Sequence, residues 1–264
     1  MRIIVPVKQI LDPRGITVRR DKERIFVNQE EYILDPGSKA ALEAALRLKE
    51  AALDAAGGWE ILALCAGKAQ ADDALREALA MGCDAAYLLC DKAFEDADIS
   101  ATARILTAAI QKLEGADLVI TGRESGDTGA GQIGPRLAEA LGMAQVTDVH
   151  TASLVEGGLR AVRRWADGFC AVVAQLPVLL TVAPVAFPPR YPLGARVMSA
   201  YREWQVPVWD AAELGLDEAA LAPLLSFRRE SFPPPLDIGE RFEGDPAGMA
   251  EDILAALRAQ KTVR

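Results

Sequence analysis

The chain has 264 residues, of which 51% are hydrophobic and 25% charged, and it carries a formal net charge of −9. That length suits one large α/β unit with an appendage or two small domains, and the composition excludes a disordered, collagenous or coiled-coil chain. A net negative surface repels phosphate at long range, so neither nucleic acid nor insertion into an anionic membrane is expected.

The first element is the apolar run MRIIVPVKQIL, which is broken at Lys8 and followed by no small-residue cleavage pattern. It reads as a buried strand over 2–7 in a cytoplasmic protein, not as a signal peptide. ITVRR and RIFVN then flank Asp21-Lys22-Glu23 as a small antiparallel hairpin. A helix is expected over 36–54, because Asp35 can cap its free amides and Pro36 suits its first position. Strands at 60–65, 85–90 and 117–121 alternate with helices at 69–81, 98–113 and 131–141, the signature of parallel strands joined by crossover helices. From 144 to 183 four consecutive β-like runs follow, QVTDVHTASLV, GLRAVRRW, FCAVVAQL and VLLTVAP, which read as added strands, partly antiparallel. Beyond Pro184 the proline-rich FPPRYPLGARVMSAYREW and SFPPPLDIGERF predict an extended arm, and Pro246 to Gln260 has helical spacing. The expected organisation is a doubly wound, mostly parallel α/β domain over 1–183 and an extended C-terminal arm over 184–264 that packs on a partner. No stretch approaches the roughly 20 apolar residues of a membrane span.

The densest chemical signal is Gly122-Arg123-Glu124-Ser125-Gly126-Asp127-Thr128-Gly129-Ala130-Gly131-Gln132-Ile133-Gly134, five glycines in thirteen residues between a strand and a helix. Glycines let the backbone approach a ligand, and a helix start offers unpaired amides and a positive dipole end, so this segment is either a phosphate site or a structural turn. The literal GxGxxG from Gly129 to Gly134 follows a late strand and lacks an acidic residue about twenty positions on, so it is not a dinucleotide-fold fingerprint. Loops at Pro6, at Asp35-Pro36-Gly37-Ser38 and at Ala66 end strands of the same sheet and could share one crevice with it, or be plain connections. Catalysis has no visible constellation: His150 is the only histidine, no GxSxG elbow exists, and Cys65, Cys83, Cys90 and Cys170 lack metal or dithiol spacing.

The order of segments resembles the β subunit of electron transfer flavoprotein over roughly residues 1–200. VPVKQILD is similar to that family's first strand and loop, LDPGSKAALEAALRLKE to its Asn/Asp-Pro segment and helix, and ALREALAMGCDAAYLL matches closely as well. VRRWADGFCAVVAQLPVLLTV resembles its signature of a basic pair, Asp-Gly, alternating strand and Leu-Pro, and FPPRY resembles its Pro-Arg-Tyr arm. The resemblance implies an adenine-nucleotide α-hydrolase-like fold and a heterodimer with an α subunit that carries most of the FAD contacts. It also implies electrons arriving from a flavin dehydrogenase such as an acyl-CoA dehydrogenase, with AMP or, in the bifurcating branch, a second FAD held by this chain. By position, the nucleotide contacts would be Pro6, Asp35 to Ser38, Ala66 and Gly122 to Gly134, with Arg190, Tyr191 and Leu193 docking a partner. Three departures stand out: Gly129 where a second Asp is usual, Ala171 where an acidic residue is usual, and Leu193 shifted by one position ahead of SAYREW in place of lysines. A stress-protein-like module binding ATP or AMP shares the fold, and an ATP-activating enzyme is disfavoured by the lack of an SGGxDS-like loop.

Overall fold

The apolar runs read above as strands lack polar alternation, which suits a sheet buried on both faces. The computed structural model, which describes residues 1–52, 58–225, 231–232, 234 and 239–260, places them there. In chain order the elements are β1 (Arg2–Val7), β2 (Gln9–Leu11), β3 (Ile16–Arg19), β4 (Arg24–Val27), β5 (Tyr32–Leu34), α1 (Pro36–Ala51), β6 (Glu60–Ala66), α2 (Asp72–Met81), β7 (Ala85–Leu89), α3 (Ile99–Lys112), β8 (Leu118–Gly122) and α4 (Ile133–Leu141). There follow β9 (Ala144–Val155), β10 (Gly158–Trp165), β11 (Gly168–Gln175), β12 (Val178–Val182), α5 (Gly194–Arg202), β13 (Val208–Trp209), α6 (Glu218–Leu221) and α7 (Pro246–Ala259). The expected last residues of the first helix, 53–54, lie outside the described residues, as do Pro233 and Pro235 of the triple-proline run.

One sheet of nine strands runs β11-β10-β9-β12-β8-β1-β6-β7-β13, parallel from β9 through β13 and antiparallel at β10 and β11. Alternate residues of its central strands feed two cores. Ile3, Val5, Ile61, Ile120 and Leu180 pack beneath α1 and α2, whereas Ile4, Leu64, Val119 and Leu179 pack beneath α3 and α4. The chain lays β6 and β7 on one side of β1, then crosses back to place β8 and β12 on the other, so the winding reverses between β1 and β8. There the ladder is short, pairing only Ile3 with Leu118 and Ile4 with Val119. Pro6, which has no N–H to give, sits on β1 past the last of these pairs, and the two strands part towards their carboxyl ends. A crevice at such a reversal is where open α/β sheets bind ligands.

The segment after Pro184 forms more regular structure than its prolines predict. α5 packs on α2, where Arg196 donates to the Leu79 carbonyl at 2.8 Å and Arg76 donates to the carbonyls of Ala200 and Trp204. β13 extends the sheet edge beside β7, with Leu88 N–H donating to Pro207 O at 2.9 Å and the Tyr87 and Trp209 rings 4.5 Å apart. Asp98 ties down the next stretch by accepting from the amides of Leu224 and Leu225. α7 is different: none of its residues is buried. Two short antiparallel pairs, β2 with β5 and β3 with β4, stand outside the main sheet, and the first of them was not anticipated.

Ile120 is fully buried at the centre of the sheet. Ile120→Ala is expected to cost about 3 kcal/mol through lost burial and a residual cavity. A fall in the denaturant midpoint at unchanged slope would show it.

Candidate functional site

Asp35 precedes α1 and its carboxylate is almost wholly inside the protein. One oxygen accepts from the Ser38 amide at 2.9 Å and from the Ser38 hydroxyl at 3.3 Å, and the other accepts from the Gly126 amide at 2.8 Å. The same Ser38 hydroxyl receives the Lys8 amide at 3.0 Å, and Asp35 N–H donates to Lys8 O at 2.9 Å. Three segments far apart in sequence, the end of β1, the start of α1 and the glycine-rich loop, are thereby joined around one N-cap.

The loop lies against α1 at a distance only glycine permits. A Cβ on Gly122 would fall 2.7 Å from the Gly37 carbonyl carbon, and one on Gly37 would fall 2.7 Å from Glu124 O. Beyond Gly122 the chain turns through Ser125, whose carbonyl accepts from Gly129 N–H at 2.9 Å and whose hydroxyl lies 3.0 Å from that of Thr128. Lys8 reaches across to Asp127 at 2.6 Å. Burial works against ionisation of Asp127, but hydrogen bonds from Lys8 and Ser125 outweigh it and hold the carboxyl below its usual range.

At the end of the loop, α4 begins without a capping side chain and with no acidic residue in its first turn. The Gln132 side chain is turned instead to Arg136, accepting at 3.1 and 3.0 Å. No side chain caps the amides of Ile133 and Gly134, Pro135 having none to cap, and no carboxylate in the first turn offsets the positive end of α4. Such an end accepts an anion.

A cleft of about 300 Å³ is bounded by Asp35, Pro36, Gly37, Glu124, Ser125, Gly126, Gly129 and Pro184. Asp35, Pro36, Gly37 and Gly129 among the expected site residues thus meet at one wall, with Ser38 buried behind them. Arg123 and Asp127 through Gln132, apart from half-buried Ala130, are exposed, and Ile133 and Gly134 open α4, with Gly134 tight against Thr121 and Thr181. Pro6 is buried within β1 and Ala66 half-buried at the end of β6, and neither lines the cleft. Glu124, Ser125 and Gly126, within the expected run from Gly122 to Gly134, line the cleft as well, and Pro184 and Lys8 complete the surroundings without having been singled out. Of the last two only Lys8, a cation ending an apolar strand, carried a signal in the sequence. A second depression of about 260 Å³ lies at Asp12, Arg14, Gly15, Gln29 and Glu31, but Arg14 and Asp12 satisfy each other there.

Of the expected docking residues, Tyr191 and Leu193 stand out from the surface, at 96% and 70% exposure. Arg190 faces inward. It donates to Glu43 at 2.8 Å and to Glu50 at 3.1 Å, which pins the root of the proline-rich segment to α1. Burial alone would raise the Glu43 carboxyl, yet hydrogen bonds from Arg190 and Arg47 hold it below its usual range.

A cleft at the winding reversal of a mostly parallel sheet, beside a helix start that no side chain caps, defines a doubly wound α/β protein. The electron transfer flavoprotein domain model matches residues 24–214. The chain is 36% identical over 221 residues to electron transfer flavoprotein subunit beta of Thermoanaerobacterium thermosaccharolyticum, covering 84% of this chain and 83% of that one. It is 36% identical over 267 residues to the caffeyl-CoA reductase-Etf complex subunit CarD of Acetobacterium woodii, and 33% identical over 275 residues to the Megasphaera elsdenii β subunit, each over the full length of both chains. The chain belongs to the electron transfer flavoprotein family, among its β subunits. Membership makes it part of an electron carrier, and a β subunit implies an α partner. Among the described residues no helix is long and apolar enough to cross a membrane.

Asp35→Ala would leave the Gly126 amide and the start of α1 unpaired, and is expected to cost about 2 kcal/mol in thermal or denaturant unfolding. For Glu43 the sign follows from its depressed folded value: its stabilisation is present above the ordinary value of 4.5 and is lost as pH falls below it. Glu43→Gln should lower stability near neutral pH and flatten the acid limb of a stability profile measured from pH 7 to 3.

Proposed function

We propose that this chain holds an adenylate in the cleft between α1 and the glycine-rich loop while serving as the β half of a cytoplasmic electron carrier. The observation that carries the reading is the uncapped start of α4 beside a cleft at the β1/β8 reversal. The amides of Ala130 to Gly134 would hold phosphate, since the Gly129 amide is already taken by Ser125. Gly129 and Gly131 fit the role by their positive φ of 58° and 63°, which let this backbone curl towards a ligand. Asp127 and Thr128 would meet hydroxyls of the ligand, and the adenine would lie towards Pro6 and Ala66. The size of the cleft, at the lower end for small-ligand sites, suits an adenylate. That adenylate would be AMP or the adenosine half of a second FAD, the latter making the carrier a bifurcating one.

The principal FAD would be held mainly by the α subunit, and its flavin would supply the redox chemistry. Electrons would come from a flavin dehydrogenase such as an acyl-CoA dehydrogenase. This chain's part is to place groups: Tyr191 and Leu193 project for a redox partner, and α7, with its apolar Ile253 and Leu254 exposed, would lean on the α subunit.

Purifying the chain with its α subunit should give a yellow heterodimer, and denaturing it should release AMP or FAD identifiable by mass spectrometry. One FAD plus one AMP per heterodimer marks a simple carrier and two FAD a bifurcating one; ATP, or no adenylate beyond the α subunit's FAD, would overturn the reading. Gly122→Ala, whose Cβ meets backbone, should abolish nucleotide retention, while Gly129→Ala, with nothing within 4 Å, should retain it at somewhat reduced affinity.

A further inference from the structure

Beside the cleft, β9 is irregular twice over. Its register against β12 shifts between Leu180 and Val182, and against β10 between Val162 and Arg163, with Asp148 and His150 at the break. Asp148 has a positive φ of 54°, and its N–H donates to Thr181 Oγ1 at 3.0 Å. Bulges of this kind re-aim side chains, and strained backbone at a non-glycine residue persists only where its surroundings enforce it.

What the bulge aims is a carboxylate that faces both a guanidinium and an imidazole. Asp148 Oδ1 is buried and has no hydrogen-bond partner, yet Arg123 Nη1 lies 3.7 Å from it and His150 Nε2 3.9 Å. Arg123 also donates to Glu124, a residue of the cleft wall. The cluster adjoins the cleft, since Ala183 N–H donates to Val149 O at 3.0 Å and the next residue, Pro184, lines it. His150 itself faces Asp148 and, edge-on at 4.9 Å, the uncharged Phe169 ring of β11; the charged groups next to these are Arg123 of the β8 loop, against Asp148, and Arg163 of β10, which donates to Thr147 at 2.7 Å.

We propose that Asp148 and His150 are positioning residues that govern how far the Arg123 guanidinium is free to meet a phosphate in the cleft, so that protonating His150 tightens nucleotide binding. The proposal rests on the nucleotide reading above. A neutral imidazole leaves Asp148 to Arg123. An imidazolium competes for the same oxygen, and the displaced guanidinium turns to the anion. Linkage requires the converse, that bound phosphate favours the protonated ring.

The test is calorimetric titration of AMP into the full chain assembled with its α subunit and freed of bound nucleotide, from pH 8 to 5.5. Comparing wild type with His150→Gln at each pH cancels the titration of the ligand's own phosphate. The ratio of affinities should rise about three- to fivefold in favour of wild type on acidification. Asp148→Asn, which tolerates the left-handed backbone, should bind AMP more tightly at pH 8 and lose the pH dependence. AMP bound with a ratio that stays flat, or an Asn variant with an unaltered profile, overturns the proposal alone. Absence at every pH of both AMP binding and, in a parallel titration, FAD binding beyond the α subunit's overturns the nucleotide reading and the proposal together.

Discussion

The site hangs on the carboxylate of Asp35. A buried charge is tolerable only when donors surround it, and this one has three, the amide and hydroxyl of Ser38 and the amide of Gly126. Two of them belong to the start of α1, which the cap nucleates. The third belongs to a loop 91 residues away that has little regular structure of its own. The same contact that begins a helix therefore fixes a distant loop over the place where β1 and β8 part, and the helix that follows that loop, α4, starts without a cap.

Around this centre the chain spends its charges in two ways. Arg190, Arg196, Arg76 and Arg104 are turned inward, to the carboxylates of α1 or to backbone carbonyls, where a planar guanidinium can satisfy several acceptors and fasten the segment after Pro184 to the domain. Arg123 and Lys8 remain partly exposed beside the cleft, each balanced by an acidic neighbour.

Surfaces left uncovered also have a pattern. The strands β9 to β11 carry Trp165, Phe169 and Val173 exposed on the antiparallel extension, α7 buries nothing, and Tyr191 and Leu193 project from a clamped root. Isolated apolar residues on a surface are ordinary, but this many on the added strands and the C-terminal segment are the expected face of a subunit.

Periodicity and capping chemistry sufficed, from the sequence alone, for the alternating strands and helices, the Asp35–Pro36 start of α1 and the glycine-rich loop, because those signals are local: each depends on residues within one or two turns of one another. The order of motifs likewise sufficed for the family. Other features arise only when distant segments meet. The bond from Asp35 to Gly126, the close approach of Gly122 to Gly37, the inward turn of Arg190 and the bulge that sets Asp148 between Arg123 and His150 have no period and no spacing to announce them. Nor did the prolines after Pro184 disclose α5 and β13, because their regularity comes from packing against α2 and β7. Short-range backbone preferences were written in the chain; which side chains would be left without partners was decided by the tertiary structure, since a hydrogen bond between remote residues exists only after the sheet has brought them together.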